Sequence, residues 1–542
     1  MRALLTLVCL LLALPVLGVL GAWLAFDAAA SAVLVHQAQT VLAGYALQSL
    51  ILATAVGLGV ALLGGGAAAA VALFEFPGRR VFEWALLLPM AMPAYVLAYV
   101  YTDFLQYSGP LQSGLRSLTG LQGALWPDVR SLPGAVVLFV LCLYPYVYLL
   151  VRTALAERGM QMMEAARLLG AGLWRRITAV ALPMARPALA AGVALALMET
   201  LADYGVGAYF GLTTFSTGIY KAWLVMNDRI AAAQLASLLL IVVAALLWAE
   251  RRARRHLRFA GSRGTPSASS NEGRAVVLRG RLAALAWALC ALPVGLGFLL
   301  PTGLLGYLVW QEARYGEVGL PLARFVQWCL TSFQLAGAAA VLAAALALAL
   351  SFALRLSAGH AAPAWPTRAL AGAARLVSLG YALPGTVIAV GILLLVGAVQ
   401  AQWPAAPLSA VVTGSVAGLL YAYVVRFSAV ALQSVEAGYA RLPSSLDDSA
   451  RMLGASRARL LAEVHAPLLQ RSILAASLLV FVDVMKELPA TLVLRPFNSD
   501  TLAVVAYNLA RDERLAEAAL PSLAIVAVGL LPVLLLSRAM RH

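Results

Sequence analysis

The chain of 542 residues is 62% hydrophobic and 12% charged, whereas soluble domains average about 25% charged residues. This composition excludes an ordinary soluble protein. The net charge of +15 is almost all arginine, placed in particular loops. That placement favours a role in membrane orientation and contact with anionic lipid over nucleic-acid binding.

Apolar runs of about twenty residues recur along the chain, as membrane-spanning helices require. The first run ends near Phe26. Because it is longer than the core of a signal peptide, we interpret it as a retained helix rather than a cleaved leader. The other runs lie near residues 45–73, 82–106, 134–154, 184–206, 232–249, 282–310, 331–354, 372–399, 409–432, 471–494 and 516–537. The sequence therefore predicts an all-α polytopic membrane protein with about twelve transmembrane helices.

Arginine placement predicts the orientation of these helices. The segments 27–44 and 400–408 hold no Lys or Arg, and arginines concentrate in the alternate connections, so the bias places both termini in the cytoplasm. Residues 250–281 are basic and rich in Ser and Gly, which predicts a cytoplasmic linker. It divides the chain into a first half, residues 1–249, and a second half, residues 282–542. Each half has six predicted helices, so the two are expected to be parallel repeats.

One segment of the first half recurs in the second. Residues 164–183 read EAARLLGAGLWRRITAVALP, and residues 448–467 read DSARMLGASRARLLAEVHAP. An offset of 284 positions relates Glu164 to Asp448, Gly170 to Gly454 and Pro183 to Pro467. A repeat at a fixed offset without gaps indicates an internal duplication.

Each copy is polar and arginine-rich, but carries apolar residues at helical spacing. They are Leu168, Leu169 and Leu173 in the first copy, and Met452, Leu453 and Leu460 in the second. This pattern predicts a short helix outside the membrane with one apolar face. The glycine of each copy suits a sharp turn, and the proline is expected to end the excursion where the chain re-enters the membrane.

The two copies resemble the EAA motif of ABC-importer permeases. Val180 replaces the usual isoleucine in the first copy, and Asp448, Ser449 and Ala466 depart from the motif in the second. The resemblance implies the type I (MetI-like) permease fold in a bacterial inner membrane, with membrane lipid around it. It further implies that each copy holds a coupling helix. The residues that it assigns to ATPase coupling are Glu164, Ala165, Ala166, Gly170, Pro183, Asp448, Ala450, Gly454 and Pro467.

The same resemblance implies two kinds of partner. Two copies of an ABC ATPase subunit are expected at the cytoplasmic face, one for each coupling helix. A periplasmic or extracellular binding protein is expected to deliver the substrate on the other side. The alternative is that the two copies are surface helices without a partner.

A nucleotide-binding signature is missing from the sequence. A P-loop requires Gly-Lys-Ser/Thr, but Tyr220 precedes Lys221 and Met485 precedes Lys486, and these are the two lysines of the chain. We therefore predict no enzymatic activity and no cofactor in this chain; the resemblance implies ATP-Mg in the partner ATPase. The four cysteines and five histidines show no metal-ligand spacing, so the sequence predicts no firm metal site.

Two pairs of acids interrupt apolar runs. Glu199 and Asp203 lie four positions apart, as do Asp483 and Glu487, and the 284 offset relates the two pairs. A spacing of four places each pair on one helix face. Acids inside a membrane usually line a cavity or pair with a base. We interpret the four acids, with Tyr204, as a passage for a cation or a hard metal such as iron. The alternative is pairing within the fold, with Lys486 or Arg495 as partners.

Longer stretches sharpen the resemblance. The sequences ETLADYGVGAYFG (199–211), VMKELPATLVLRPFNSDTLA (484–503) and ARDERLAEAALP (510–521) look like those of fused permeases of ferric-iron importers. This implies a permease that moves ferric iron inward by alternating access. Leu488-Pro489 within the second stretch predicts a break in its helix.

Other substrates and another class of protein stay open. Thiamine or another cationic solute is the alternative substrate, since its permeases share the fused layout. A twelve-helix secondary transporter, which needs no ATPase, is the alternative from a different class. An oxyanion passage would be expected to show basic residues in place of the four acids.

Overall fold

The computed structural model describes residues 2–24, 27–156, 160–261, 276–316, 319–358, 365–405 and 407–539. Helices dominate these ranges. Helix α13 continues through residues 250–261 of the predicted linker, and residues 262–275 lie outside the described ranges.

The first half of the chain supplies thirteen of the described helices. They are α1 (Arg2–Gly21), α2 (Ala28–Thr40), α3 (Leu42–Leu73), α4 (Arg79–Ala85), α5 (Ala94–Leu105), α6 (Pro110–Thr119), α7 (Leu132–Ala154), α8 (Met160–Leu168), α9 (Leu173–Arg176), α10 (Leu182–Ala202), α11 (Gly205–Tyr209), α12 (Phe215–Tyr220) and α13 (Arg229–Gly261). The short strands β1 (Phe74–Glu75) and β2 (Val276–Val277) pair in parallel and tie the described end of the linker to the end of α3.

The second half supplies the other helices. They are α14 (Arg281–Val294), α15 (Leu300–Tyr315), α16 (Leu322–Ala358), α17 (Trp365–Val377), α18 (Gly385–Gln402), α19 (Leu408–Gly414), α20 (Val416–Tyr439), α21 (Ser445–Met452), α22 (Arg457–Arg459), α23 (Ala466–Met485), α24 (Pro489–Leu494), α25 (Leu502–Arg511) and α26 (Leu515–Ala539).

Among the described residues, eleven helices are long and apolar enough to cross a membrane, or up to twelve if one bent pair is a single span. The bent pair joins Arg79–Ala91 to Ala94–Thr119 at 90°, where the sequence predicted the continuous run 82–106. Pro93 lies at the bend, and a proline cannot donate the hydrogen bond that would continue the helix. The multi-pass all-α prediction is confirmed, with this span broken.

The duplication is visible in the backbone. Helices α7, α8, α10 and α11 recur 284 residues later as α20, α21, α23 and α24, with ends that agree within one residue. Even the caps repeat, since Ser131 accepts a hydrogen bond from the backbone N–H of Gly134 and Ser415 accepts one from Ala417. The offset read from twenty residues therefore holds over about eighty.

The chain forms two compact units, and each draws on both halves of the sequence. One unit comprises residues 1–37, 219–237 and 321–505; the other comprises residues 38–218, 238–320 and 506–542. In the first of these units α1 packs on α17 and α18. Pro15 and Gly391 mark the contact of α1 with α18, because a Cβ on Gly391 would overlap the Pro15 carbonyl. The predicted division at the linker is a division of sequence and stays a prediction.

Candidate functional site

The two predicted coupling segments share one local geometry. We name residues 160–181 the first loop and residues 445–465 the second loop. Each loop is a short helix, α8 or α21, followed by a glycine with positive φ: 81° at Gly170 and 77° at Gly454. The backbone N–H of Gly170 donates to the carbonyl of Arg167 at 2.9 Å, and that of Gly454 donates to Arg451 at 3.0 Å. These bonds close the C-terminus of each helix in the manner that favours glycine.

Both loops expose apolar tips. Leu168 and Leu169 are 84% and 87% exposed, and the equivalent Met452 and Leu453 are 89% and 87% exposed. In the first loop Trp174 is also exposed. Large apolar side chains that the rest of the chain leaves uncovered are available for contact with another molecule.

The predicted coupling residues differ in exposure. Glu164, Ala165, Gly170, Asp448, Gly454 and Pro467 are exposed, and Ala166, Pro183 and Ala450 are half-buried. Asp448 lies 3.4 Å from Arg451, one turn along the same helix. Pro183 and Pro467 lie beyond the two loops, on α10 and α23, and the coupling role of the whole set stays a prediction.

A π-helical turn joins each loop to its long helix. The turns span Ile177–Ala181 and Leu460–His465. Each turn precedes a proline, Pro183 or Pro467, whose missing N–H interrupts the ordinary bonding pattern. Prolines at these positions are predicted to end the loop. Instead helical structure continues through them, so each loop is joined to its long helix without a break.

At their far ends both long helices are broken. Helix α10 ends at Ala202 and α23 ends at Met485, and the predicted break at Leu488-Pro489 is confirmed. Asp203 accepts a hydrogen bond at 2.8 Å from the backbone of Val206. Glu487 accepts one at 3.0 Å from the equivalent Ala490. The two acids thus cap the short helices α11 and α24. The backbone N–H groups in the first turn of a helix have no partner within the helix, so a nearby carboxylate stabilises them.

Glu487 is further fixed by a buried cation. Arg426 Nη1 lies 2.9 Å from Glu487 Oε1, and the two side chains are 10% and 1% exposed. Thr491 donates to the other carboxylate oxygen through its backbone N–H and its hydroxyl. Gly385 leaves the space, because a Cβ there would lie 2.6 Å from the carboxylate. A carboxylate with these partners is fully engaged by the fold.

Pairing within the fold, the alternative reading, therefore describes two of the acids. Glu487 pairs with Arg426, which was not among the predicted partners. Lys486, a predicted partner, lies 3.3 Å from Asp483, with both side chains about a quarter exposed. Arg495 pairs with Asp500. The partners predicted for Glu487 were bases close to it in sequence, whereas its actual partner, Arg426, lies 61 residues away on α20. The signal was an arginine inside the apolar run 409–432.

The other members of the predicted passage lie in less enclosed positions. Glu199 and Asp203 are half-buried, and Tyr204 is buried with its ring 6.0 Å from that of Tyr507. Within the described ranges no three His, Cys, Asp or Glu residues come close enough to hold a metal ion. The predicted role of the four acids in a cation passage stays a prediction.

Comparison with known proteins identifies relatives of the chain. Residues 61–257 match the family described as the binding-protein-dependent transport system inner membrane component. The Fe(3+)-transport system permease protein FbpB 2 of Haemophilus influenzae is 22% identical over 501 residues, which cover 90% of this chain and 88% of that protein.

Two shorter matches involve other substrates. The molybdenum transport system permease protein ModB of Escherichia coli is 29% identical over 25% of this chain and 57% of its own length. The sulfate transport system permease protein CysT of Escherichia coli is 28% identical over 32% of this chain and 63% of its own length. The chain spans about half the length of the first curated relatives that it matches.

The matched stretch contains the first loop, α10 and the helix break at Asp203. Together with the helical spans, it confirms the predicted fold class, that of type I importer permeases (MetI-like). The chain is a multi-pass membrane protein whose residues 61–257 are similar to the inner membrane components of binding-protein-dependent transport systems.

Proposed function

We propose that this chain is the transmembrane permease of an ATP-binding-cassette importer for ferric iron. One observation carries the proposal: two loops 284 residues apart repeat a glycine turn and an exposed apolar tip. A duplicated contact surface suits two copies of one partner, and two ATPase subunits at the cytoplasmic face provide such a pair. A substrate-binding protein would deliver the cargo to the opposite side.

The backbone supplies a route for the movement. Each loop continues through its π turn into a long helix, with the first run spanning Leu173–Ala202 and the second Arg457–Met485. A displacement of either loop would therefore move the whole helix and the break at its far end. Alternating access follows if the two helices rock together when the ATPase subunits close on ATP.

The cargo would meet the acids that the fold leaves partly accessible. Glu199 and Asp483 are half-buried, and the ion pair of Asp483 with Lys486 is about a quarter exposed, whereas Glu487 is buried and paired with Arg426. We therefore assign Glu199 and Asp483 to the passage, and Asp203 and Glu487 to holding its walls. The full-length similarity to a Fe(3+) permease supports a trivalent cation as cargo.

A second candidate substrate is an oxyanion, favoured by the local similarity to the sulfate and molybdenum permeases. Such a passage would need an unneutralised base. Arg426 is the buried base beside the break, but its charge is balanced by Glu487 at 2.9 Å. The charge pattern therefore favours the cation, with thiamine as the organic alternative.

Reconstitution would test this assignment. Vesicles containing the chain, its ATPase and its binding protein would be supplied with labelled ferric iron, molybdate, sulfate or thiamine. We expect ATP-dependent uptake of iron, reduced in Glu199→Gln and Asp483→Asn variants that still bind the ATPase. Uptake of molybdate or sulfate in its place would support the second candidate. Uptake without the ATPase, driven by an ion gradient, would identify a secondary transporter.

A further inference from the structure

The second loop rests on a buried polar cluster. Arg355, near the end of α16, lies 2.8 Å from Asp447 through Nε and 3.1 Å through Nη2, so the pair is bidentate. His465 Nε2 also lies 3.0 Å from Asp447 Oδ1, the oxygen that Arg355 Nη2 contacts. The ring then reaches Tyr439, whose hydroxyl is 3.1 Å from Nδ1. We name these four residues the clamp.

The clamp joins four separate elements. Arg355 belongs to α16, Tyr439 to α20, Asp447 to α21, and His465 to the π turn before α23. Arg355 also donates to the carbonyls of Leu442 and Pro443, at 3.0 and 2.9 Å, in the turn that leads into α21. The second loop is therefore bonded to its supporting helices at its entrance, in its helix and at its exit.

Burial makes these bonds strong constraints. His465 is 1% exposed and the Asp447 side chain is 8% exposed. Burial opposes ionisation of Asp447, but the hydrogen bonds from Arg355 and His465 outweigh it and hold the pKa of the carboxyl below its usual value. A bidentate, charge-assisted contact fixes orientation as well as distance.

The first loop has no equivalent cluster at the matching positions. The 284 offset relates Tyr439 to Leu155, Asp447 to Met163 and His465 to Ala181. Arg355 corresponds to Ala72 at an offset of 283, the offset at which Ser49 and Ser332 accept equivalent backbone hydrogen bonds. All four counterparts are buried and apolar, so this loop rests on packing, which tolerates sliding better than directed hydrogen bonds do.

We propose that Arg355, Asp447 and His465 are positioning residues that fix the orientation of the second loop, so that the two loops transmit force differently. The second loop moves rigidly with its unit, whereas the first can shift on its apolar base. This inference rests on the proposed coupling function, but it concerns a property that the chain also has without its ATPase.

Hydrogen exchange of the purified chain tests the clamp directly. In Asp447→Asn we expect the amides of residues 445–456 to exchange about tenfold faster or more, since a buried partner charge is lost. In the wild type these amides should exchange more slowly than those of residues 160–172. Equal exchange in the two loops of the wild type would overturn the proposal.

A second variant removes the risk that a lone buried charge prevents folding. Arg355→Ala, Tyr439→Leu, Asp447→Met and His465→Ala together give the second loop the apolar base of the first. We expect this chain to insert and to bind the ATPase, but to transport less substrate per ATP hydrolysed. Wild-type coupling in the four-fold variant would overturn the rigid role of the clamp.

The two failures are distinguishable. If the wild-type chain neither binds nor stimulates the ATPase, the proposed function is wrong. The exchange difference between the two loops is measured without the ATPase, so it tests the clamp independently. Glu463→Ala, which removes an exposed acid of the second loop, is the matched control for both measurements.

Discussion

The two halves of the molecule agree at the surface and differ inside. Both loops carry a glycine with positive φ and an apolar tip, and both long helices end at an acid that caps the next helix. Beneath these shared features the second half has the four residues of the clamp and Arg426. At the equivalent positions the first half has four apolar residues and Cys142. After duplication, the exposed tips and the positions that shape the backbone kept their chemistry, while the supporting interior did not.

Physical chemistry explains why the interior was free to diverge. A buried ion pair and a well-packed apolar set of similar volume often give similar stability. The intermediate states are the costly ones, because one charge without its partner remains buried. The pairs Arg355–Asp447 and Arg426–Glu487 must therefore be changed together, and each half has reached a complete solution of its own kind.

The largest expected effect is the loss of Glu487. Glu487→Ala leaves Arg426 buried without its carboxylate and should lower the free energy of unfolding by about 3–5 kcal/mol. Chemical denaturation of the detergent-solubilised protein measures this loss. The double variant Arg426→Leu with Glu487→Gln removes both charges and keeps an amide oxygen for the cap, so it should recover most of the loss. Equal loss in the single and double variants would show that the charge pair is unimportant.

A smaller effect is expected at the two turn glycines. A Cβ at Gly170 or Gly454 would meet nothing within 4 Å, so Gly→Val strains the backbone alone, by about 1–2 kcal/mol. The chain should stay inserted while ATP-driven uptake falls. Gly→Asn is the matched control, because asparagine adopts positive φ more readily. Normal uptake in both valine variants would contradict a coupling role for these turns.

Asp203 tests the comparison from the first half. Its carboxylate accepts a hydrogen bond from the backbone N–H of Val206, and Cys142 occupies the position equivalent to Arg426. Asp203→Ala should therefore cost about 1 kcal/mol, as the loss of a cap does. Denaturation under the same conditions as for Glu487→Ala should show the smaller change. A loss as large as that of Glu487→Ala would indicate a buried charge pair in the first half as well.

Local sequence signals predicted much of this arrangement. The duplication, the turns at Gly170 and Gly454, and the break at Pro489 follow from residues within one or two helical turns of each other. The clamp and the Arg426–Glu487 pair were missed because their partners lie 92 and 61 residues apart. The packing of α1 against α18, more than 360 residues later in the sequence, could not be predicted for the same reason. A single sequence shows which residues are costly to bury but not which partner they find.

The smallest effect is expected at an exposed ion pair in the second loop. Arg459 Nε lies 2.9 Å from Glu463, but both side chains are more than 60% exposed. Solvent screens such a pair, so Glu463→Ala should change the free energy of unfolding by at most about 0.5 kcal/mol. The same measurement on Asp447→Ala, on the buried side of the same loop, should show a several-fold larger loss of the free energy of unfolding. If the two losses were alike, burial would not distinguish the clamp from an ordinary surface ion pair. The proposed difference between the two loops, one held by buried hydrogen bonds and one by apolar packing, would then be unsupported.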